Sequence, residues 1–209
     1  MVDGAHGAAQ PELSDLDRRL RALADGGDHA AAVALAVDEL GDEVYGFVAS
    51  RSRDDDEAAD VFAQACADLV RSMPSFRFGC SMRTWFYRIA RSASARHRRS
   101  PANQHDRRVA LSQVSEVIDQ VRTRTELHLR SEVKDGVRRL RERLDPEEQQ
   151  LLLLRVDRDL GWNEIAQIVD DIDDPAEITR AAARLRQRFQ KLKERLRDLA
   201  VAEGLVPPE

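Results

Sequence analysis

Apolar residues recur at three- and four-residue intervals along most of this chain, a period that predicts helices. Ser14 can cap a short helix through Leu16, Leu20 and Leu23, and Asp25-Gly26-Gly27-Asp28 is a turn signal that ends it. Asp28 can cap a longer helix to about Arg51, with Val33, Val37, Leu40, Val44, Phe47 and Val48 as its stripe. Asp54 with Glu57 three positions on is a capping-box pattern. Behind it Ala58, Val61, Phe62, Ala65, Cys66, Leu69 and Val70 keep helical spacing until Pro74 stops the run. The loop Ser75–Cys80 leads to a helix from Ser81 to Arg99, whose apolar side is Met82, Trp85, Phe86, Ile89, Ala90 and Ala93. Ser100-Pro101 stops that helix, and four helices closing on one apolar centre predict a first domain over residues 14–99.

The pattern then weakens. Residues 100–124 are polar apart from Val114, Val117, Ile118 and Val121 and read as a flexible linker. A second domain is expected over 125–200. Leu129, Val133, Val137, Leu140 and Leu144 mark its first helix, and Asp145-Pro146-Glu147-Glu148 caps the next. Leu160-Gly161 breaks that helix, Asn163 can cap a short one over Glu164–Val169, and Asp170–Asp174 is an acidic turn. Asp174, Pro175 and Glu177 start the last long helix. Two short helices, a tight turn and a further helix are the parts of a helix-turn-helix. Residues 1–13 read as a disordered extension and 201–209 as a tail. The fold class expected is all-α.

Charge changes the picture at two helices. The formal net charge is −5, so a globally basic nucleic-acid binder is excluded. The signs are patterned instead: Asp and Glu cluster at 54–60 and 170–177, Arg at 83–99 and 180–197. Between Ser81 and Arg99 there are six arginines and no Asp or Glu. Arg83, Tyr87, Arg88 and Arg91 fall off the apolar side. Arginines interleaved with rings suit a nucleic acid, since guanidinium groups hold phosphates and rings stack on exposed bases. The competing reading is a solvated cationic helix over a core. Trp85 lies on the apolar stripe, and packing is its expected work. In the last helix Ile178, Ala182, Leu185, Phe189, Leu192, Leu196 and Leu199 form one stripe, and Arg180, Arg184, Arg188, Lys191 and Arg195 another. A helix in a major groove needs that division, although a coiled-coil seam shares the 4–3 repeat.

Other chemistries find little support. The five histidines do not cluster at ligand spacing, no Gly-rich phosphate loop occurs, and no Ser/His/Asp arrangement stands out. No catalytic residue, metal or cofactor is expected. Cys66 sits among apolar positions, whereas Cys80 lies in a Gly-containing loop that leaves exposure open to it; a thiol switch there is a minor alternative. No run approaches 18 apolar residues and no signal segment opens the chain, so no membrane partner and a cytoplasmic location are expected.

These residues resemble a known family, the sigma-70 class of RNA polymerase sigma factors, in its small extracytoplasmic-function group. LRALADGGDHAAA resembles the family's opening helix junction and EAADVFAQACADLVRSMPSFR its polymerase-binding helix. SMRTWFYRIARSASARHRR is similar to its promoter-melting helix, and LDPEEQQLLLLRVDRDLGWNEIAQIV to the start of its promoter-binding domain. The chain departs from the pattern at Ala63-Gln64, where Gln-Glu is usual, and at Ser92, where Asn is usual. It departs again at Asp170, where Gly is usual, followed by the longer acidic turn.

The resemblance implies a region 2-like helical bundle and a region 4-like helix-turn-helix joined by a linker. It implies a subunit that binds core polymerase (clamp and flap) and directs promoter recognition and melting, with an anti-sigma factor as a possible further partner. Asp60, Gln64 and Asp68 would meet the polymerase. Ser75, Phe76 and Arg77 of the loop would receive a flipped −10 base, with Arg83, Tyr87, Arg88 and Arg91 also on −10 DNA. Arg180, Arg184, Arg188 and Lys191 would meet the −35 element. Two alternatives stay open: a polymerase-independent helix-turn-helix regulator, and a helical protein whose basic stripes meet acidic proteins.

Overall fold

The computed structural model describes residues 13–99, 140 and 143–207. The expected linker, nearly all of the N-terminal extension and the expected start of the second domain near Thr125 lie outside the described residues. Those described are all-α: seven α-helices and no strand. They are α1 (Asp15–Asp25), α2 (His29–Ala49), α3 (Asp55–Ser72), α4 (Met82–Arg99), α5 (Pro146–Leu152), α6 (Trp162–Asp170) and α7 (Pro175–Ala202).

The caps follow the sequence closely. Ser14 Oγ accepts from the Asp17 N–H, and Asp28 Oδ1 from the Ala31 N–H at 3.0 Å. Asp54 accepts from the Glu57 N–H at 2.8 Å, and Asp174 from the Glu177 N–H at 2.9 Å. At α5 the box closes both ways, Asp145 accepting from Glu148 and Glu148 from Asp145. Each such cap satisfies N–H groups that the first turn leaves open. At α6 the expectation is corrected. The helix starts two residues early, at Trp162, because the Glu164 carboxylate accepts the Gly161 N–H at 2.8 Å and fixes Gly161 as the cap. A wider turn, Leu153–Asp157, follows α5 before the chain reverses.

α1 to α4 close on a ring-rich centre. Tyr45 meets Phe62 edge-on at 5.3 Å, Phe47 meets Tyr87 at 5.1 Å, and Phe62 lies 6.2 Å from Phe86. All five are buried. Burying such a ring contributes about 1.5–3 kcal/mol. α4 is seated by Asp17, a buried carboxylate of α1 whose Oδ1 accepts the Met82 N–H at 2.8 Å. That bond fixes where the arginine helix begins.

The second half uses aliphatic side chains. Leu151, Leu154, Leu160, Ile165, Ile168, Ala181, Ala182 and Leu185 are buried, and Trp162 meets Phe189 at 5.5 Å. The turn between α6 and α7 begins at Asp171, which holds a left-handed φ of 55° as the α6 C-cap. Glycine is commonest at such a cap, but a short polar side chain tolerates it.

The two halves share one continuous apolar cluster, with α6 packed along α4. Gly46 in α2 makes room at this joint. A Cβ there would lie 2.6 Å from an Arg158 guanidinium nitrogen. The Arg158 carbonyl in turn accepts from Arg83 at 2.7 Å.

Candidate nucleic-acid interface

α4 carries its arginines along a helix buried on two sides. One side faces α2 and α3. The other meets α6, where Thr84 Oγ1 donates to Glu164 at 3.4 Å. Tyr87 is therefore a correction: it is fully buried against Phe47, with its hydroxyl unpartnered, and not on an open face. Burial, with Glu43 nearby, holds its phenol well above the usual range. Cys80 is buried too, and burial pushes its thiol up to about 11, so it has little thiolate at neutral pH.

Arg83 is held by both oxygens of Glu43, each at 2.8 Å. Burial opposes its charge, but those bonds outweigh burial and raise its pKa. Arg88 is largely enclosed, its side chain 10% exposed. It donates to Asp171 at 2.8 Å and to Asp173 at 2.6 Å, and its guanidinium sits 5.3 Å from the Trp85 ring centre. Burial again opposes the charge, and the two carboxylates outweigh it. Asp171 and Asp173 are themselves 62% and 73% exposed. Pairs so open to water are worth about 0–1 kcal/mol each.

Ahead of α4, Phe76 is buried between Phe78 at 4.6 Å and Trp85 at 5.3 Å, stacking on the latter. Ser75 and Arg77 are exposed beside it. A small cavity of about 160 Å³ opens here, lined by Arg21, His29, Phe76, Arg77 and Phe78 among others. The His29 Nδ1 is buried without a partner.

Arg91 lines a larger cleft of about 880 Å³ with Arg51, Arg98 and Gln150. Arg51 donates to Gln150 at 2.8 Å. Burial, with Arg98 and Arg91 close by, lowers Arg51 to about 10, a sign of cations crowded together. Arg91 also lines a neighbouring cavity of about 320 Å³ with Arg184 and Arg188. The structure thus brings one residue expected on −10 DNA together with two expected on −35 DNA.

On α7 the basic stripe is open. Arg180 and Lys191 are exposed and make no ion pair with the described residues. Arg184 is 68% exposed and meets Asp170 at 3.4 Å, while Arg188 meets Glu147 at 2.7 Å. On α3, Asp60, Gln64 and Asp68 fall one turn apart on a half-exposed face. Gln64 donates to Asp68, which also pairs with Arg71 and with Arg96 of α4.

Residues 36–103 match the family model for sigma-70 region 2. That match supports membership of the sigma-70 family and a role in transcription initiation. The region 2 match takes in most of α2, all of α3 and α4, and the loop between them; α5 to α7 lie beyond it. Neither a curated protein nor a solved structure matches the chain. Among the described residues no helix is long and apolar enough to cross a membrane.

Sequence reasoning missed Glu43, Arg51, Arg158 and His29. Arg51 closes the α2 pattern and reads as a helix end, and the other three offer no local signal. Their importance comes from what folds against them.

Proposed function

We propose that this chain is an extracytoplasmic-function type sigma factor that binds core RNA polymerase and directs promoter recognition and melting. The observation that carries this reading is the α4 face. Arg83, Arg88 and Arg91 follow the Phe76–Trp85 ring stack within the region 2 match. A strand leaving a duplex loses stacking and keeps its phosphates, and this surface sets the half-buried Trp85 ring beside the Arg88 guanidinium. The small cavity beside Phe76, His29 and Arg77 suits one unstacked base. Tyr87 is assigned to packing. α7 enters duplex DNA at the −35 element, with Arg180 and Arg184 foremost and Arg188 and Lys191 on phosphates. Asp60 and Gln64, with Asp68 held by Arg71 and Arg96, form the face that meets the polymerase clamp. The site of action is the cytoplasm.

The test is reconstitution. The purified chain is expected to co-purify with core polymerase and to support run-off transcription from a subset of genomic fragments. DNA binding without polymerase retention would favour an ordinary helix-turn-helix regulator. Loss of both activities would overturn the reading.

A further inference from the structure

Two promoter elements named −10 and −35 lie about 25 base pairs apart, roughly 85 Å along the duplex at 3.4 Å per pair. Here Arg91 and Arg184 line one cavity, so this arrangement cannot grip both elements at once. The docked form is a closed form, and its joint has its own chemistry. Arg88 is enclosed by the acidic turn between α6 and α7, with Asp171 at 2.7 Å and Asp173 at 2.6 Å. The same turn supplies Asp170 to Arg184. Each carboxylate presents oxygens to a guanidinium as a phosphate would.

We propose that the Asp170–Asp173 turn is an internal phosphate mimic that occupies the nucleic-acid surface of α4 in the closed chain and must leave before Arg88 can meet DNA. The proposal rests on the nucleic-acid reading of α4. It gives the turn a positive role. In the open chain its carboxylates lie beside the DNA-reading helix, where they repel phosphates, whereas in the closed chain they neutralise Arg88. The pairs are exposed on their acidic side, so a polyanion competes for Arg88 without first breaching a dry core. The mimic therefore acts as a threshold on DNA contact and not as a permanent lock.

The test compares the full chain with Asp171→Asn/Asp173→Asn. Asparagine keeps the left-handed cap at position 171. A second variant, Asp55→Asn/Asp56→Asn, removes the same charge from the exposed first turn of α3, away from the joint. Binding of a 30-nucleotide single-stranded DNA of mixed sequence is measured against salt. The turn variant is expected to bind about five- to thirtyfold more tightly at low salt. Its plot of log affinity against log salt should steepen by about 0.7 for one freed phosphate contact. Cys80, which lies beside Arg88 and Asp173, reports the joint without DNA. Its labelling by a thiol reagent should quicken in the turn variant and stay slow in the α3 variant. Equal DNA affinity in wild type and turn variant, or equal gains in both variants, overturns the mimic and leaves the function of α4 standing. Faster Cys80 labelling with no DNA binding by any chain overturns the nucleic-acid reading of α4 and the mimic with it.

Discussion

The two basic surfaces of this molecule are built in opposite ways. In the first half of α4 the charges are enclosed: Arg83 sits in a two-oxygen grip from Glu43, and Arg88 is covered by a turn from the other half. On α7 Arg180 and Lys191 stand in water, Arg184 stays 68% exposed beside Asp170, and Arg188 stays 43% exposed beside Glu147. An exposed stripe steers toward DNA at once and is sensitive to salt. An enclosed one is silent until something moves. Under the proposed function, first contact with a duplex through Arg180 and Lys191 needs no rearrangement, whereas contact through Arg88 does. The difference separates finding a promoter from opening it.

The largest expected effect breaks this comparison at α4. Arg88→Ala with Arg91→Ala should lower open-complex formation about tenfold or more, since hydrogen bonds to charged groups are worth about 1.5–3 kcal/mol. Retention of core polymerase should be unchanged. Permanganate footprinting and pull-down measure the two, and equal losses would make these arginines packing residues. A smaller effect is expected on the open surface. Arg184→Ala in the full chain should weaken duplex binding a few-fold at low salt and flatten the salt slope by about 1, as for one lost phosphate contact. An unchanged slope would remove Arg184 from the contact list.

The smallest effect concerns the enclosed loop. The Cys80 thiol is raised from 9.0 to about 11 on folding. The unfolded chain therefore ionises first, and stability present below pH 9 should fall as pH rises from 9 to 11. Cys80→Ala should lose less stability than wild type over that window. Melting curves across pH 8–11 check this, and parallel losses would show that Cys80 opens to water before the chain unfolds.

The helices were legible because local rules govern them. Asp28, Asp54, Asp145 and Asp174 each cap the helix that their spacing indicates. The interface of α4 was not. A hydrophobic stripe identifies one buried side, and Tyr87, with Arg83 and Arg91 a turn either way, reads as solvent-facing. α4 has a second buried side because α6 docks there, and no spacing rule ties Arg88 to a carboxylate 83 positions later. Cys80 was left open for a related reason. Gly79 beside it marks a loop, but Phe76 and Phe78 tuck that loop against Trp85. The cationic character of both helices was readable; which cations are already spoken for was not.

Gly46 shows how closely the joint is drawn. A guanidinium nitrogen of Arg158 lies 2.6 Å from where a methyl carbon at that position would stand. The long arginine side chain is the only group such a carbon would displace, so one added carbon there perturbs the Arg158 end of the joint while every residue assigned to polymerase or promoter keeps its place.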